Sequence, residues 1–359
     1  MCLLATLLKR EGWEVEVITY YPEDFFLSAL KEHGIGHKFI DGTGKLKRIL
    51  KIRGELRKGN QDVILSFLRT PNLLAELSAI PWRKWGLVVS ERTGWKRGEE
   101  NIGRWRSRLH CLADFVTVNS KANRRILTEH ARCLKDKIIT IYNTVDMDLY
   151  CPVQDDSPSD AIVFLVVGRV SQEKNVIGLI EAFGNACQGM PDKSMKMDWY
   201  GDAYRESRNT SNDKHSLYRK AEEKIAIMGL QDKVAFHPPT DDIISKYRKA
   251  SALLLGSFYE GMPNVVCEGM ACGKPILMSR VGDAEELVHE EKNGFLFDPY
   301  STEDIAAKMV RFARLSNEEK ASMGKYSRML AEKLFAKDKF LRSYVEVMTK
   351  AAKSRRMRN

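Results

Sequence analysis

Short apolar runs alternate with longer stretches of helical periodicity along the whole chain of 359 residues. Eleven runs have the length and composition of buried strands. They lie at residues 15–20, 62–67, 86–91, 115–120, 137–142, 161–168, 196–201, 233–237, 250–256, 275–279 and 294–298. Strands that are apolar on both faces and are joined by helices form parallel sheets. The pattern therefore predicts an α/β protein with two doubly wound domains.

The stretch CPVQDDSPSD at residues 151–160 is the most convincing linker, because it is rich in Pro, Ser and Asp. We predict an N-terminal domain over residues 1–150, joined by a C-terminal helix over residues 336–359, and a C-terminal domain over residues 151–335. The chain opens on a helical pattern, whereas a doubly wound domain normally opens with a strand and a turn. We therefore expect the first strand to lie upstream of Met1.

The composition is that of a soluble globular protein, with 43% hydrophobic and 30% charged residues. No apolar run approaches the roughly 20 residues of a membrane-spanning helix. The seven cysteines form no C-x-x-C pair. We expect them to be reduced thiols in a cytoplasmic protein.

Positive charge collects in the first part of the chain, where residues 1–150 hold 26 basic and 18 acidic residues. Two basic segments, residues 45–58 and 95–108, are interleaved with tryptophans at positions 82, 85, 95 and 105. This combination predicts contact with anionic lipid headgroups at the inner face of the cell membrane. A solvated helix face explains either segment alone equally well, and no nucleic-acid motif is present.

Two basic residues follow the apolar run at residues 161–168, in the segment GRVSQEKN. Arg169 and Lys174 lie five residues apart on the loop that leads into a helix. A guanidinium and an ammonium at this spacing can close on one diphosphate. The loop is thus a candidate phosphate site, although two basic residues on a loop are common.

The segment FYEGMPNVVCEGMACGKP at residues 258–275 follows another strand of the same predicted sheet. Pro263 suits the start of a helix, whose first amides attract anions or sugar hydroxyls. Glu260 lies just before this helix and can accept hydrogen bonds from a sugar. Glu268 lies inside it and offers two oxygens to a vicinal diol such as a ribose. A capped helix with a solvent-facing Glu268 is the structural alternative.

These two segments together resemble the retaining GT-B glycosyltransferases of family 4, whose mark is two glutamates separated by seven residues. The stretches SERT, FVTVNSKA, IYNTVDMDLYCP and NGFLFDP, which start at residues 90, 115, 141 and 293, match further family segments in the expected order. The closest type is that of the bacterial capsular and exopolysaccharide enzymes. The resemblance implies two Rossmann-like domains that face a cleft.

The resemblance also implies roles for individual residues. Arg169 and Lys174 would stabilise the leaving diphosphate, Glu260 would orient the transferred sugar, and Glu268 would bind the nucleotide ribose. His237, in the segment FHPP, would border the nucleotide base. The implied donor-binding set is Gly168, Arg169, Lys174, His237, Glu260, Gly261, Met262, Pro263, Asn264, Val265 and Glu268.

The acceptor side of the site is less defined. The segment SFLRTPN at residues 66–72 stands where many family members carry a histidine. Arg69, Asn72, Glu91 and Arg92 are the polar candidates there, and loop bracing or surface exposure would explain each of them equally well.

The implied reaction is transfer of a sugar, with anomeric retention, from UDP-sugar or GDP-sugar to a hydroxyl of a polysaccharide or lipid-linked precursor. We expect neither a cofactor nor a metal, because cationic side chains and a helix dipole can neutralise the diphosphate. The aspartate pairs at 155–156 and 241–242 fit a linker and a helix cap. One alternative is an inactive remnant or a partner subunit that binds nucleotide sugar without turnover. Another is a GT-B sugar-nucleotide epimerase, although the glutamate pair argues against it.

Overall fold

The computed structural model describes residues 1–21, 26–41, 44–94, 100–153, 161–202 and 212–356. The chain forms two compact units, Met1–Tyr142 with Lys337–Asn359 and Asn143–Ala336. The chain first passes from one unit to the other after Tyr142, ahead of the expected boundary at residue 150. The residues that follow Tyr142 form hydrogen bonds with the second unit. The Val145 amide and the Thr144 hydroxyl both donate to the Phe335 carbonyl, at 3.4 and 2.7 Å.

The strands, all parallel within their sheets, follow the apolar runs. Those of the first unit are β1 Glu16–Thr19, β2 Gly36–Phe39, β3 Val63–Phe67, β4 Gly86–Glu91, β5 Phe115–Val118 and β6 Ile138–Thr140. Those of the second unit are β7 Ile162–Val167, β8 Met195–Tyr200, β9 Val234–His237, β10 Ala252–Leu255, β11 Ile276–Ser279 and β12 Gly294–Phe297.

Helices connect the strands within each unit. Those of the first unit are α1 Cys2–Arg10, α2 Leu27–Glu32, α3 Lys45–Lys58, α4 Arg69–Ser78, α5 Glu100–Leu109, α6 Lys121–His130 and α14 Lys337–Arg356. Those of the second are α7 Val176–Gln188, α8 Asn212–Ile227, α9 Ile243–Lys249, α10 Asn264–Ala271, α11 Ala284–Leu287, α12 Thr302–Arg314 and α13 Asn317–Phe335.

The predicted fold class is confirmed, since both units are α/β with parallel sheets. All eleven predicted runs contain a strand, and β2 is the one described strand that the pattern missed. Its sequence GHKF has no apolar run, because the strand is largely exposed at the edge of a two-stranded sheet.

The first unit contains the two-stranded sheet β1–β2 and the four-stranded sheet β3–β4–β5–β6. Every residue of β4 is buried. Helix α14, from the far end of the chain, packs so closely on this strand that a Cβ on Gly86 would lie 2.5 Å from the Ala351 carbonyl carbon. Leu8 of α1 and Tyr344 of α14 belong to the same apolar cluster.

The second unit contains a six-stranded sheet with the order β12–β11–β10–β7–β8–β9. The chain starts in the middle at β7, builds outward through β8 and β9, and then returns to the other side of β7 at β10. The order therefore reverses between β7 and β10. At such a reversal the loops at the carboxyl ends of the two strands diverge and leave a crevice that can hold a ligand.

The structure records a disulfide between Cys111 and Cys133, whose Cα atoms are 6.1 Å apart. The expectation that all cysteines are reduced is wrong for this pair. The two residues lie 22 positions apart in the sequence, and each sits in a short 3₁₀ turn, at residues 110–112 and 132–134. Sequence spacing alone could not show that these turns meet.

Candidate functional site

The two motif loops of the second unit leave the sheet at its reversal point. The loop after β7 carries Gly168, Arg169 and Lys174, and the loop after β10 carries Glu260. The Phe258 amide donates to the Glu173 carbonyl at 2.9 Å, which ties the two loops together. The fold thus brings together side chains that are more than 80 residues apart in the sequence.

Lys174 and Glu260 form an ion pair at the centre of this region. The Lys174 Nζ lies 2.6 Å from the Glu260 Oε1, and the two side chains are 21% and 17% exposed. The Ser257 hydroxyl donates to the same oxygen at 2.8 Å. The ammonium is therefore already balanced by a carboxylate, so an arriving diphosphate would have to compete with Glu260 for it.

Arg169 occupies the exposed side of the same loop. Its side chain is 60% exposed, and its Nη2 lies 3.1 Å from the Glu173 Oε1. An exposed pair of this kind contributes little to stability, so the guanidinium can exchange partners at low cost.

Two glycines shape the floor beneath these loops. Gly201 follows β8, and a Cβ at this position would lie 2.0 Å from the Gly168 carbonyl oxygen. The same oxygen accepts a hydrogen bond from the Trp199 indole at 2.7 Å. The close backbone approach explains the glycine at position 201 and holds the start of the Arg169–Lys174 loop in place.

Helix α10 begins at the end of the second loop, with Pro263 at its N-cap. Gly261, Met262 and Pro263 are buried, whereas Asn264 is exposed and Val265 is half-buried. Pro263 has no N–H group, so the backbone donors that the helix leaves open are those of its first residues. The anion-attracting end of the helix is thus formed by Asn264 and Val265.

Glu268 lies in the second turn of α10 and is half-buried. The Tyr247 hydroxyl of α9 donates to its Oε2 at 2.8 Å. Burial raises the pKa of the Glu268 carboxyl above its ordinary value, and the hydrogen bond from Tyr247 acts in the opposite direction. Burial also raises the pKa of Tyr247, which therefore remains a donor.

His237 ends β9, next to the end of β8. Its ring stacks on Tyr200 with the centroids 4.4 Å apart, and its Nε2 lies 3.2 Å from the Asp198 Oδ1. The Lys246 ammonium lies 5.8 Å from the Tyr200 ring centroid. The carboxyl ends of β8 and β9 thus present an aromatic and polar surface on one flank of the reversal point.

The acceptor-side candidates lie in the first unit and divide into two kinds. Asn72 is buried, accepts from the Ser66 hydroxyl at 2.7 Å and donates to the Ser90 carbonyl at 2.9 Å. Glu91 is also buried, and its Oε1 accepts from the Thr93 amide at 3.3 Å. These contacts brace the ends of β3 and β4.

The two arginine candidates of the first unit are half-buried. Arg69 donates to the Gly94 carbonyl at 3.3 Å. The Arg92 guanidinium lies 5.4 Å from the Phe67 ring centroid and 3.2 Å from the Tyr344 hydroxyl. Arg69 follows β3 and Arg92 follows β4, at the carboxyl edge of the four-stranded sheet.

Sequence reasoning missed a buried pair in the first unit. The His110 Nδ1 lies 2.5 Å from the Glu76 Oε1, and the His110 Nε2 lies 3.9 Å from the Glu91 Oε2. Burial raises the pKa of Glu76. Glu76 and His110 are 34 residues apart with no shared motif, so the sequence carried no signal of their contact.

No group of three His, Cys, Asp or Glu side chains arranged to hold a metal ion is found among the described residues. Of the two aspartate pairs, residues 155–156 lie outside the described residues, and Asp242 is the N-cap residue of α9. No described helix is both long and apolar enough to cross a membrane.

Two family models match the chain in succession. Residues 1–149 match the model described as Glycosyltransferase Family 4, and residues 152–329 match the model described as Glycosyl transferases group 1. The two matched regions correspond closely to the two α/β parts of the sequence.

Known proteins and solved structures also resemble this chain in sequence or in fold. Spore coat protein SA of Bacillus subtilis is 26% identical over 259 residues, which cover 67% of this chain and 66% of that protein. A D-inositol 3-phosphate glycosyltransferase of Corynebacterium aurimucosum is 27% identical over 207 residues, 54% of this chain and 47% of that protein. The matches thus span between about half and two thirds of these relatives.

The structure of Anabaena HepE in complex with UDP-glucose superposes with a TM-score of 0.78 and 20% identity, covering 97% of this chain and 95% of that one. At this identity the similarity concerns the fold. It extends over both α/β units of the chain.

Proposed function

Since the chain belongs to the GT-B glycosyltransferases of family 4, we propose that it is a retaining glycosyltransferase. Its donor is a nucleotide-diphosphate sugar, UDP-sugar or GDP-sugar, and its acceptor is a hydroxyl of a polysaccharide or lipid-linked oligosaccharide precursor. The observation that carries this proposal is the ion pair of Lys174 and Glu260 at the point where the strand order of the six-stranded sheet reverses. The UDP-glucose bound by the HepE protein supports a donor of this class.

The cationic residues act on the leaving group. As the bond between the anomeric carbon and the phosphate oxygen breaks, negative charge grows on the departing diphosphate. Lys174 and Arg169 lie on the loop after β7, and the first amides of α10 lie at the end of the neighbouring loop after β10. Groups that bind the diphosphate more strongly in the transition state than in the ground state lower the barrier.

The acceptor oxygen attacks on the face from which the diphosphate leaves, which gives retention of configuration. The acceptor proton passes to the leaving phosphate oxygen, so atoms and charge balance without an enzymic nucleophile. Glu260 binds hydroxyls of the transferred sugar and orients it. Glu268 binds the ribose, and His237 borders the base.

We propose that no metal takes part, because the side chains of Arg169 and Lys174 and the N-terminus of α10 supply the positive charge. Activity should then be unchanged by EDTA and by added Mg²⁺ or Mn²⁺. Loss of transfer on chelation, restored by one of these ions, would contradict this part of the proposal.

The test of the function is a donor screen followed by turnover. UDP-sugars and GDP-sugars are first screened by thermal shift, and the stabilising donor is then assayed for nucleotide release with and without glycan acceptors. Lys174→Ala should abolish turnover while the protein remains folded. Near-wild-type turnover in Lys174→Ala would refute the role of Lys174, and binding without turnover by the wild type would favour the remnant.

We also propose a cytoplasmic protein in peripheral contact with anionic membrane through the exposed face of α3. Lys47, Leu50, Lys51 and Lys58 are exposed on this helix. Two of its three arginines serve another purpose, because Arg53 donates to the Leu77 carbonyl at 2.6 Å and the nearby Arg57 binds carbonyls beyond the end of α4. Lys51 is also engaged, since its ammonium donates to the Asp41 carbonyl at 2.8 Å. The contact therefore rests on Lys47, Lys58 and Leu50.

The tryptophans contribute unequally to such a surface. Trp82 and Trp105 are 60% and 59% exposed, whereas Trp85 is 4% exposed and belongs to the core. Trp95 lies outside the described residues. Trp85 is therefore removed from the predicted lipid-contacting set.

Sedimentation with vesicles of phosphatidylglycerol and phosphatidylcholine tests the membrane contact. Binding should decrease with added salt and with Leu50→Glu, which adds a negative charge beside Lys47 and Lys51. Leu149→Glu, at an exposed leucine of the second unit, is the matched control. Equal binding by wild type and Leu50→Glu, or binding that is insensitive to salt, would refute the proposal.

A further inference from the structure

The carboxylate of Glu268 is held by a side chain that no motif indicates. Tyr247 lies on α9, is completely buried, and donates its hydroxyl to the Glu268 Oε2 at 2.8 Å. Among the described residues, no second hydrogen-bond partner of this carboxylate is recorded. This hydrogen bond therefore engages one of the two carboxylate oxygens, Oε2, of the half-buried side chain.

Tyr247 itself is held in a rigid frame. Its ring packs edge-on against Tyr150, with the centroids 6.2 Å apart. The Arg328 guanidinium donates to the Tyr150 carbonyl at 2.7 Å and to the Ala271 carbonyl, at the end of α10, at 2.8 Å. Arg328 thus links the Tyr150 segment, against which the Tyr247 ring packs, to the helix that carries Glu268.

We propose that Tyr247 is a positioning residue for the ribose-binding carboxylate. Its hydroxyl selects the Glu268 rotamer that leaves Oε1 open, and it stabilises the ionised form that accepts hydrogen bonds from both ribose hydroxyls. This inference rests on the proposed function, since it assigns a second residue to the nucleotide end of the same site.

The physical reason lies in the surroundings of Glu268. Burial favours the neutral form of the Glu268 carboxyl and raises its pKa, and the hydrogen bond from Tyr247 acts in the opposite direction. Hydrogen bonding to the ionised form is the compensation that remains. A protonated or misoriented Glu268 would lose one of its acceptor positions for the ribose diol.

The test measures how strongly the ribose hydroxyls contribute to nucleotide binding. Affinities of UDP and GDP are compared with those of their 2′-deoxy and 3′-deoxy analogues by calorimetry. For the wild type we expect at least one analogue of the preferred nucleotide to bind about tenfold or more weakly, since hydrogen bonds to a charged acceptor are strong. In Tyr247→Phe this ratio should fall by about threefold or more.

A double-mutant cycle separates positioning from general damage. Glu268→Gln should also reduce the ratio, and Tyr247→Phe should cause no further reduction when combined with it. Tyr326→Phe is the matched control, because it removes a tyrosine hydroxyl that contacts the His289 Nδ1 at 2.8 Å in the same unit. This control should keep the wild-type ratio.

Folding of each variant is checked by its thermal transition. If Tyr247→Phe does not fold, 3-fluorotyrosine at position 247 provides a second variant, because it keeps the shape and strengthens the donor. The ratio should then rise above that of the wild type, and an unchanged ratio would overturn the inference.

The outcomes distinguish this inference from the proposed function. If the wild type binds neither UDP nor GDP, the proposed function fails and this inference fails with it. If the wild type binds and discriminates against the deoxy analogues, but folded Tyr247→Phe discriminates equally, Tyr247 has only a structural role and this inference alone is overturned.

Discussion

Replacing Glu260 by Gln should strengthen the binding of a free nucleoside diphosphate while it weakens catalysis. In the unliganded protein the Lys174 Nζ is engaged by the Glu260 Oε1 at 2.6 Å. A diphosphate must draw the ammonium away from this carboxylate and must also approach its negative charge. Glu260→Gln removes both obstacles without changing the shape of the side chain.

The size of the effect follows from the hydrogen bond that is weakened. A bond between charged partners contributes about 1.5–3 kcal/mol net and is roughly twice as strong as a neutral one. The Gln oxygen can still accept from Lys174 and from Ser257, so about half of the interaction remains. Release of Lys174 therefore becomes easier by about 1 kcal/mol, which corresponds to roughly fivefold tighter binding of UDP or GDP.

Calorimetric titration at low salt with UDP and with GDP measures this change. Glu181→Gln is the matched control, because Glu181 pairs with Lys224 at 3.5 Å on the helical flank of the same unit. This control carries the same charge change and should bind as the wild type does. Turnover of Glu260→Gln should fall by about 100-fold, since its amide holds the sugar less strongly in the transition state.

The outcome that would refute this reasoning is a Glu260→Gln variant that binds both diphosphates with wild-type or weaker affinity. Lys174 would then not be the phosphate ligand, or Glu260 would be needed to place it. Equal tightening in Glu181→Gln would instead show a general effect of net charge.

Three further predictions concern stability and pH. Arg328→Ala should destabilise the second unit by about 3 kcal/mol and lower its Tm by roughly 6–12 °C in calorimetry, because the carbonyls of Met147, Tyr150 and Ala271 lose a charged donor. Arg328→Lys should recover only part of this loss, and a decrease in Tm of less than about 2 °C in Arg328→Ala would contradict the prediction. Gly201→Ala should displace the Gly168 carbonyl, which a Cβ would approach to 2.0 Å, and so lower both Tm and UDP affinity; wild-type values of both would exclude this close contact. Burial raises the pKa of Glu268, so UDP affinity should fall on acidification at a higher pH than it would with an ordinary carboxyl of pKa about 4.3. Glu268→Gln should show no such fall in affinity, and the same pH profile in that variant would assign the titration to another group.

The strands were predictable because burial on both faces leaves a run of apolar residues in the sequence. The exception, β2 Gly36–Phe39, shows the limit of this signal. An edge strand with a largely exposed pattern, GHKF, needs no such run and is defined by its pairing with β1.

The charged segments show a similar limit. The segment at residues 45–58 predicts a basic surface, yet Arg53 and Arg57 donate to carbonyls in the last turn of α4 and just beyond it. Whether a basic side chain faces solvent or a carbonyl depends on which element packs beside it. The sequence of one helix does not contain that information.

The sequence by itself determined two parallel α/β domains and the motif residues Arg169, Lys174, Glu260 and Glu268, because strand burial and loop motifs are local properties of the chain. Only the tertiary structure decided which of these side chains meet. The order of the six-stranded sheet places β7 beside β10, so Lys174 contacts Glu260, and the packing of α9 on its neighbours brings Tyr247 to Glu268. These contacts join residues that are distant in sequence, and their geometry follows from strand order and helix packing.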